Sequence, residues 1–252
     1  MDWFNLSVVS LVGLAVGSFL NVCIDRLPAG LSLVSPPSHC SECQTTLKTL
    51  DLVPVASYLA LRGRCRYCSA RIPLRSPLVE LTTAVIFALI WVGYGPSYEA
   101  YALMGYAAFF FVILVIDVEH EIIPNVLVFP GFVAALAVAS FWPELGIARA
   151  AIGAGTGFGI LLGMYLIPGA IIGEGDVKLA AVVGAATGFP LVVVSLAMAF
   201  VLGGAIATVL LVSGRRGRKG RMAFGPYIAV GALATLVWGE PVLDWYLGFL
   251  SL

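Results

Sequence analysis

The sequence contains few charged residues. Only 11% of its 252 residues are Asp, Glu, Lys or Arg, and 60% are hydrophobic. Soluble domains carry about 25% charged residues and about 45–50% apolar ones. So small a charged fraction cannot cover the surface of a soluble protein of this length. The composition therefore excludes a soluble enzyme, a disordered chain and a nucleic-acid-binding protein, and it predicts an integral membrane protein in contact with lipid.

Long apolar runs account for most of the chain. A membrane-spanning helix needs about 20 mostly apolar residues. Eight runs are candidates: 4–24, 78–96, 99–117, 123–142, 148–172, 176–188, 190–213 and 224–241. The sixth run is the shortest, and merging it with the seventh into one kinked helix would leave seven spans. We predict an all-α polytopic membrane protein with about eight transmembrane helices.

The positive charges predict the orientation of these spans. Twelve of the 14 Lys and Arg residues lie within 26–75 and 215–221, and cytoplasmic loops are enriched in these residues. Placing both segments inside requires an even number of crossings between them, which eight spans provide and seven do not. Both termini are then outside, and the loops at 117–123 and 172–176 are cytoplasmic. No basic residue precedes the first run, so we interpret it as a retained span and not a cleaved signal peptide.

Four cysteines form two CxxC pairs in the one sizeable polar block, residues 26–76. They are Cys40, Cys43, Cys65 and Cys68, with 21 residues between the pairs. Two such pairs can direct four thiolates at one tetrahedral zinc ion. Two disulfides are the alternative, and a reducing cytoplasm disfavours them. Four cysteines leave no open coordination position, so the predicted zinc is structural. Cys23 has no partner in the pattern and is interpreted as a buried apolar residue.

The domain organisation follows from this polar block. We predict a first transmembrane helix over 1–25, a cytoplasmic four-cysteine zinc segment over 26–76, and a membrane core with seven helices over 77–252.

Two aspartates lie at predicted membrane boundaries. Asp117 ends the third span and Asp176 begins the sixth. Ionisable residues in membrane spans are costly and usually functional. Two carboxylates that meet in a partly dry site share a proton, so that one acts as base and the other as acid. Such a pair can activate water against a peptide carbonyl without a metal.

Other interpretations of these residues stay open. Each aspartate alone could be a boundary residue near lipid headgroups, and the sequence GEGD at 173–176 is ordinary chemistry for the start of a helix. We assign Gly173 and Gly175 a supporting role because glycine lets backbone approach closely. Lys178 is either an interfacial lysine, which we favour, or a counter-charge for the carboxylates.

The motifs together resemble those of bacterial type IV prepilin peptidases, the GxGD aspartyl protease family. In the N-terminal part the resemblance rests on Gly17–Pro28, the CxxC pairs, Leu61–Cys65 and Pro77–Glu80. In the C-terminal part it rests on Asp117–Asn125, on Gly173–Lys178 and on Phe224–Pro226. The motifs occur in the family's order and cover nearly the whole chain. Asn125 stands where many members have Asp, which leaves Asp117 as the only aspartate of that segment matching the catalytic position.

The resemblance implies a bifunctional enzyme of the bacterial inner membrane. Asp117 and Asp176 match the catalytic pair that removes a short basic leader from prepilins or pseudopilins on the cytoplasmic face, after a glycine. The second implied activity methylates the new N-terminus with S-adenosylmethionine. No glycine-rich dinucleotide-type fingerprint indicates where that donor binds.

Three alternatives remain at this stage. The chain could be a peptidase without methyltransferase activity, a proton-coupled transporter that uses two membrane carboxylates, or a zinc-stabilised assembly scaffold without enzymatic activity. The transporter interpretation is weakened because no carboxylate lies at a predicted midplane and no two halves show matched broken helices.

Overall fold

The computed structural model describes residues 3–168, 172–213 and 223–250. In these ranges the regular secondary structure is helical, with two isolated β-bridges. The helices are α1 (Trp3–Arg26), α2 (Ala56–Ala60), α3 (Arg75–Tyr94), α4 (Tyr98–His120), α5 (Asn125–Phe141), α6 (Gly146–Tyr165), α7 (Glu174–Thr187), α8 (Leu191–Val212) and α9 (Gly225–Leu250), with a 3-10 turn at Thr49–Leu52. The predicted all-α class is confirmed, and the eight apolar runs correspond in order to α1 and α3–α9.

Six helices of the described chain are long and apolar enough to cross a membrane, namely α1, α3, α4, α6, α8 and α9. Helix α5 is apolar but has 17 residues. Helix α7 has 14 residues and is about 21 Å long, shorter than the hydrocarbon core of about 30 Å. The expected count of eight therefore comprises six full-length candidates and two shorter helices.

Prolines explain two differences between predicted and observed helix ends. Helix α6 ends at Tyr165, not near 172, because Pro168 disfavours the helical conformation of the residue before it. Helix α9 continues to Leu250, past the predicted end at 241, with Pro241 inside it. The residues after Pro241 are largely apolar, and proline is tolerated within helices of this kind.

The sixth and seventh runs form separate helices. Gly188 ends α7 with a φ of +73°, a left-handed conformation that glycine adopts without steric cost. Pro190 precedes the first residue of α8. The single kinked helix considered above is therefore not observed. The second basic segment, 214–222, lies outside the described residues.

The chain divides into two compact units, residues 1–108 and 109–252. In the first unit, α1 packs against α3 through Gly13 and Gly17. A Cβ on either glycine would stand 2.6 Å from the Cα atom of Ala84 or Glu80, respectively. This close backbone approach is the packing that the GxxxG pattern permits. The cysteine segment, residues 26–76, belongs to the same unit.

Helix α7 forms the core of the second unit. Ten of its 14 residues are buried, and it contacts α5, α6, α8 and α9. A second GxxxG pair, Gly153 and Gly157 of α6, lies directly against the backbone of Gly184 and Ala180. Protein surrounds α7 on most sides, so the helix fits its unit without the length of a full membrane span.

Candidate functional site

The two CxxC pairs fold into matching hooks. In the first hook the Gln44 N–H donates to the Cys40 carbonyl at 3.0 Å, and in the second the Ser69 N–H donates to the Cys65 carbonyl at 3.0 Å. Gln44 and Ser69 have φ values of +55° and +61°. An isolated β-bridge closes each hook, between His39 and Thr46 and between Arg64 and Arg71. Each turn thereby directs its two thiols to the same side.

The four sulfur atoms form a compact cluster. They all lie within 4.8 Å of one another, and the Sγ atoms of Cys40 and Cys68 are 3.8 Å apart. A tetrahedral zinc ion with Zn–S bonds of about 2.3 Å places its sulfurs about 3.8 Å apart. A disulfide requires about 2.05 Å, and all four cysteines are free. The cluster can therefore hold a metal ion, and its geometry is that of a four-thiolate site.

Hydrogen bonds to sulfur favour the thiolate form that a metal requires. The side chain and the backbone N–H of Thr45 lower the pKa of Cys43 to about 6. The Tyr67 N–H, 3.5 Å from the Sγ atom of Cys65, is the largest cause of a lowered pKa at that residue. These hydrogen bonds favour the thiolate, the form that binds a metal, at Cys43 and Cys65, whereas the pKa of Cys68 is raised.

One carboxylate holds the second hook in place. Asp51 accepts hydrogen bonds from the Arg66 Nε at 2.6 Å and the Tyr67 hydroxyl at 3.0 Å. These two donors are the residues between Cys65 and Cys68. The Arg66 side chain is the largest cause of the lowered pKa of Asp51. Asp51 is a supporting residue that the sequence analysis did not identify.

Asp117 lies one turn before the end of α4 and is 4% exposed. The Glu121 N–H donates to the Asp117 carbonyl at 2.9 Å, and Glu121 then leaves the helix with a φ of +53°. The Gly225 N–H interacts with the Asp117 carboxyl group, and the Oδ2 atom of that group has no other hydrogen-bond partner within the described residues. Buried polar atoms normally have their hydrogen bonds satisfied, and this atom belongs to the residue predicted to be catalytic.

Asp176 lies in the first turn of α7 and is 7% exposed. Its Oδ2 atom accepts a hydrogen bond from the Gly173 N–H at 2.8 Å. The carboxyl groups of Asp117 and Asp176 are close enough to interact electrostatically. The fold thus brings together two buried carboxyl groups that lie 59 positions apart in the sequence.

Ile123 lies between two glycines at this site. A Cβ on Gly175 would stand 3.0 Å from the Cβ of Ile123, and a Cβ on Gly225 would stand 2.9 Å from its Cδ1. The Gly225 Cβ would also stand 2.5 Å from the Asp117 Oδ2 atom. No side chain fits at either glycine without moving a neighbour. Gly225 belongs to the motif at Phe224–Pro226 but had no role predicted from the sequence, and no sequence pattern distinguished Ile123.

The supporting residues occupy different positions. Gly173 binds the carboxylate directly, and Gly175 provides space for Ile123. The Lys178 Nζ atom is 2.5 Å from Glu174 Oε1 and 3.1 Å from Asn125 Oδ1. These contacts connect the start of α7 to the start of α5, a linking role that neither earlier interpretation of Lys178 included.

Comparisons with known proteins cover both units. The family model described as the bacterial peptidase A24 N-terminal domain matches residues 11–94, and the model of the type IV leader peptidase family matches residues 104–208. No solved structure matches the chain.

Several curated proteins are similar over nearly their full length. One from Bacillus subtilis is 30% identical over 96% of this chain and 98% of its own. One from Pseudomonas putida is 31% identical over 95% and 92%, and one from Burkholderia pseudomallei is 35% identical over 94% and 86%. Each is named prepilin leader peptidase/N-methyltransferase. With its apolar helices and two matching family models, this chain is a multi-pass membrane protein that belongs to the type IV leader peptidase family.

Proposed function

We propose that the protein cleaves the leader from type IV prepilins or pseudopilins and methylates the new N-terminus. The observation that supports the cleavage most directly is the pair of buried carboxyl groups, Asp117 and Asp176. The names of the relatives support both activities.

In the proposed cleavage, Asp117 and Asp176 share one proton. The ionised carboxylate accepts a proton from a water molecule as the water attacks the scissile carbonyl, and the protonated partner donates to the carbonyl oxygen. Burial supports this sharing because two like charges in a partly dry site cannot both persist. Gly173 orients Asp176 through its N–H, and Gly175 and Gly225 leave the space that Ile123 fills beside Asp117.

The four cysteines are proposed to bind one structural zinc ion. Within residues 26–76 only Gly63 and Cys65 are buried, and a domain of about 50 residues with so small a core needs additional cross-links to stay folded. We expect one zinc per protein by elemental analysis. Replacing Cys68 with Ser should lower the metal content and destabilise the segment, because three thiolates hold zinc less tightly. A fully folded and active metal-free protein would contradict this proposal.

S-adenosylmethionine is the proposed methyl donor, which when bound supplies an activated methyl group on a sulfonium. The N-terminal unit contains an unpaired buried acceptor, described below, that fits part of such a ligand. We further propose that the protein lies in the bacterial inner membrane with the cysteine segment and both aspartates on the cytoplasmic side. A cysteine-accessibility map that places residues 26–76 outside would contradict this orientation.

The central experiment compares three variants in cleavage of a prepilin-like peptide. If the two carboxyl groups act as one unit, Asp117→Asn, Asp176→Asn and the double variant should fall to the same residual rate, because either loss removes the acid–base pair. The rate of the wild-type protein should depend on pH as a bell-shaped curve. A folded single variant with nearly wild-type cleavage would overturn the proposal.

The masses of the products test the second activity. Incubation with a prepilin-like peptide and S-adenosylmethionine should yield a cleaved product heavier by one methyl group. A cleaved but unmethylated product would indicate a peptidase only.

A further inference from the structure

A pair of buried polar side chains lies between α1 and α3 in the first unit. Asn21 and Glu80 are each 8% exposed. Asn21 lies level with Ser76 of α3, and Glu80 lies one turn further along, level with Gly17 of α1, whose carbonyl Asn21 also contacts. The proposed cleavage and the metal cluster use neither side chain.

Glu80 is a buried carboxylate whose partners are all neutral. Its Oε2 atom accepts a hydrogen bond from the Val55 N–H at 2.7 Å, and the Ser18 side chain bonds the same carboxylate. Val55 has a φ of +59°, which is unfavourable for a β-branched residue. Within the described ranges no Lys, Arg or His forms an ion pair with Glu80. Buried carboxylates are normally paired with a cation.

Asn21 lacks a hydrogen-bond donor to its carboxamide oxygen. Its Nδ2 group donates to the Ser76 carbonyl at 3.0 Å and the Gly17 carbonyl at 3.3 Å. Because both of these partners are acceptors, the orientation of the amide is determined. Its Oδ1 atom is buried and has no partner in the part of the chain that the structure describes. The missing partner must be a hydrogen-bond donor.

We propose that Glu80 and Asn21 bind a primary amino group in the methyl-transfer reaction. A protonated amine provides both features that the pair lacks, a positive charge for the carboxylate and N–H donors for the orphaned oxygen. The proposal rests on the methyltransferase activity proposed above. Two reactants carry such a group: the methionine part of S-adenosylmethionine and the newly exposed N-terminus of the cleaved peptide.

A purely structural role for Glu80 would be to attach Val55 to α3. Glu80→Gln separates the two roles because the carboxamide oxygen still accepts from the Val55 N–H while the charge is lost. Asn21→Leu removes the orphaned oxygen at similar volume. Thr83→Val is the matched control: Thr83 is buried in the same interface, and its hydroxyl donates to the Val79 carbonyl of its own helix.

The test measures equilibrium binding to the full-length protein in lipid nanodiscs. S-adenosylhomocysteine is compared with its analogue lacking the amino group, and a cleaved prepilin-like peptide is compared with the same peptide acetylated at its N-terminus. We expect the wild-type protein and Thr83→Val to favour the free amine in one of the two pairs by about ten- to a hundredfold. The pair that shows the preference identifies the source of the amine.

Glu80→Gln and Asn21→Leu should each abolish that preference, and thermal unfolding shows which variants remain folded. An unchanged preference in a folded Glu80→Gln or Asn21→Leu protein would overturn the proposal, and so would a wild-type protein that favours neither free amine. Methylation by the wild-type protein is measured in parallel. Its absence would contradict the proposed methyltransferase function itself, whereas methylation without an amine preference would contradict only the role of Glu80 and Asn21.

Discussion

Replacing Gly225 with alanine should strongly reduce peptide cleavage. The new Cβ would stand 2.5 Å from the Asp117 Oδ2 atom and 2.9 Å from the Cδ1 of Ile123, whereas ordinary contact begins at 3.4 Å. The carboxyl group would therefore have to move by about 0.9 Å. A displacement of about 1 Å at a reacting group can lower the rate about 100-fold. Overpacking of this kind costs about 1–3 kcal/mol of stability.

The assay measures kcat and KM for a prepilin-like peptide and the unfolding temperature of each variant. Gly159→Ala in α6 is the control, because nothing lies within 4 Å of the Cβ it would add; its kcat should equal that of the wild-type protein. A Gly225→Ala protein whose kcat is within about twofold of wild type would refute the predicted displacement of the Asp117 carboxyl group, because such a displacement should lower the rate of cleavage.

A double variant identifies which contact matters. Ile123→Val removes the Cδ1 atom and so relieves one of the two overlaps at an added Gly225 Cβ. If the overlap with Asp117 limits catalysis, Gly225→Ala combined with Ile123→Val should recover stability but not kcat. Recovery of kcat would instead assign the loss to Ile123.

Three further predictions concern the supporting residues. Gly175→Ala should reduce cleavage, because its Cβ would stand 3.0 Å from the branched Cβ of Ile123, and the measurement is kcat. Asp51→Asn should speed extraction of the cysteine-bound metal by a chelator at neutral pH. The Arg66 side chain lowers the pKa of Asp51, so the wild-type carboxylate is charged there, and its contribution to stability is lost only as the pH falls through that lowered pKa. Lys178→Met should lower the unfolding temperature through loss of the contact with Asn125 while leaving metal content unchanged, and a lowered metal content would contradict a role confined to the second unit.

The sequence was sufficient to predict the helices and the cluster of four cysteines. Apolar runs and their breaks indicate helices because a backbone in lipid must satisfy its own hydrogen bonds. The CxxC spacing indicates the cluster because a turn with two residues between its cysteines directs both thiols to the same side. The predicted helix ends were less accurate near prolines. Helix α6 ends before Pro168, earlier than predicted, and α9 continues past Pro241, where its end was predicted.

The surroundings of Asp117 could not be predicted in the same way. Ile123 contacts Gly175 and Gly225, which lie 52 and 102 positions further along the chain. An isoleucine in an apolar protein has no distinguishing chemistry, so only the fold reveals this contact. The orphaned oxygen of Asn21 is a further example, because the sequence does not state which hydrogen bonds are missing.

The packing of α6 on α7 was detectable in principle. Gly153 and Gly157 have the spacing of small residues that permits close helix contact, and Gly184 lies in the shortest apolar run. Small residues in a short apolar helix can therefore indicate that the backbone of another helix packs closely against it.

The contact between α6 and α7 also determines which parts of the second unit can move. Where Gly153 meets Gly184, backbone lies against backbone without intervening side chains, so the two helices have no compressible layer through which to slide. Asp176 lies on α7, one of the two helices in this close backbone contact. We therefore expect an extended peptide to reach the carboxyl groups when the turn over residues 121–124, which carries Ile123, moves aside. Amide hydrogens in this turn should exchange with solvent long before those of α7.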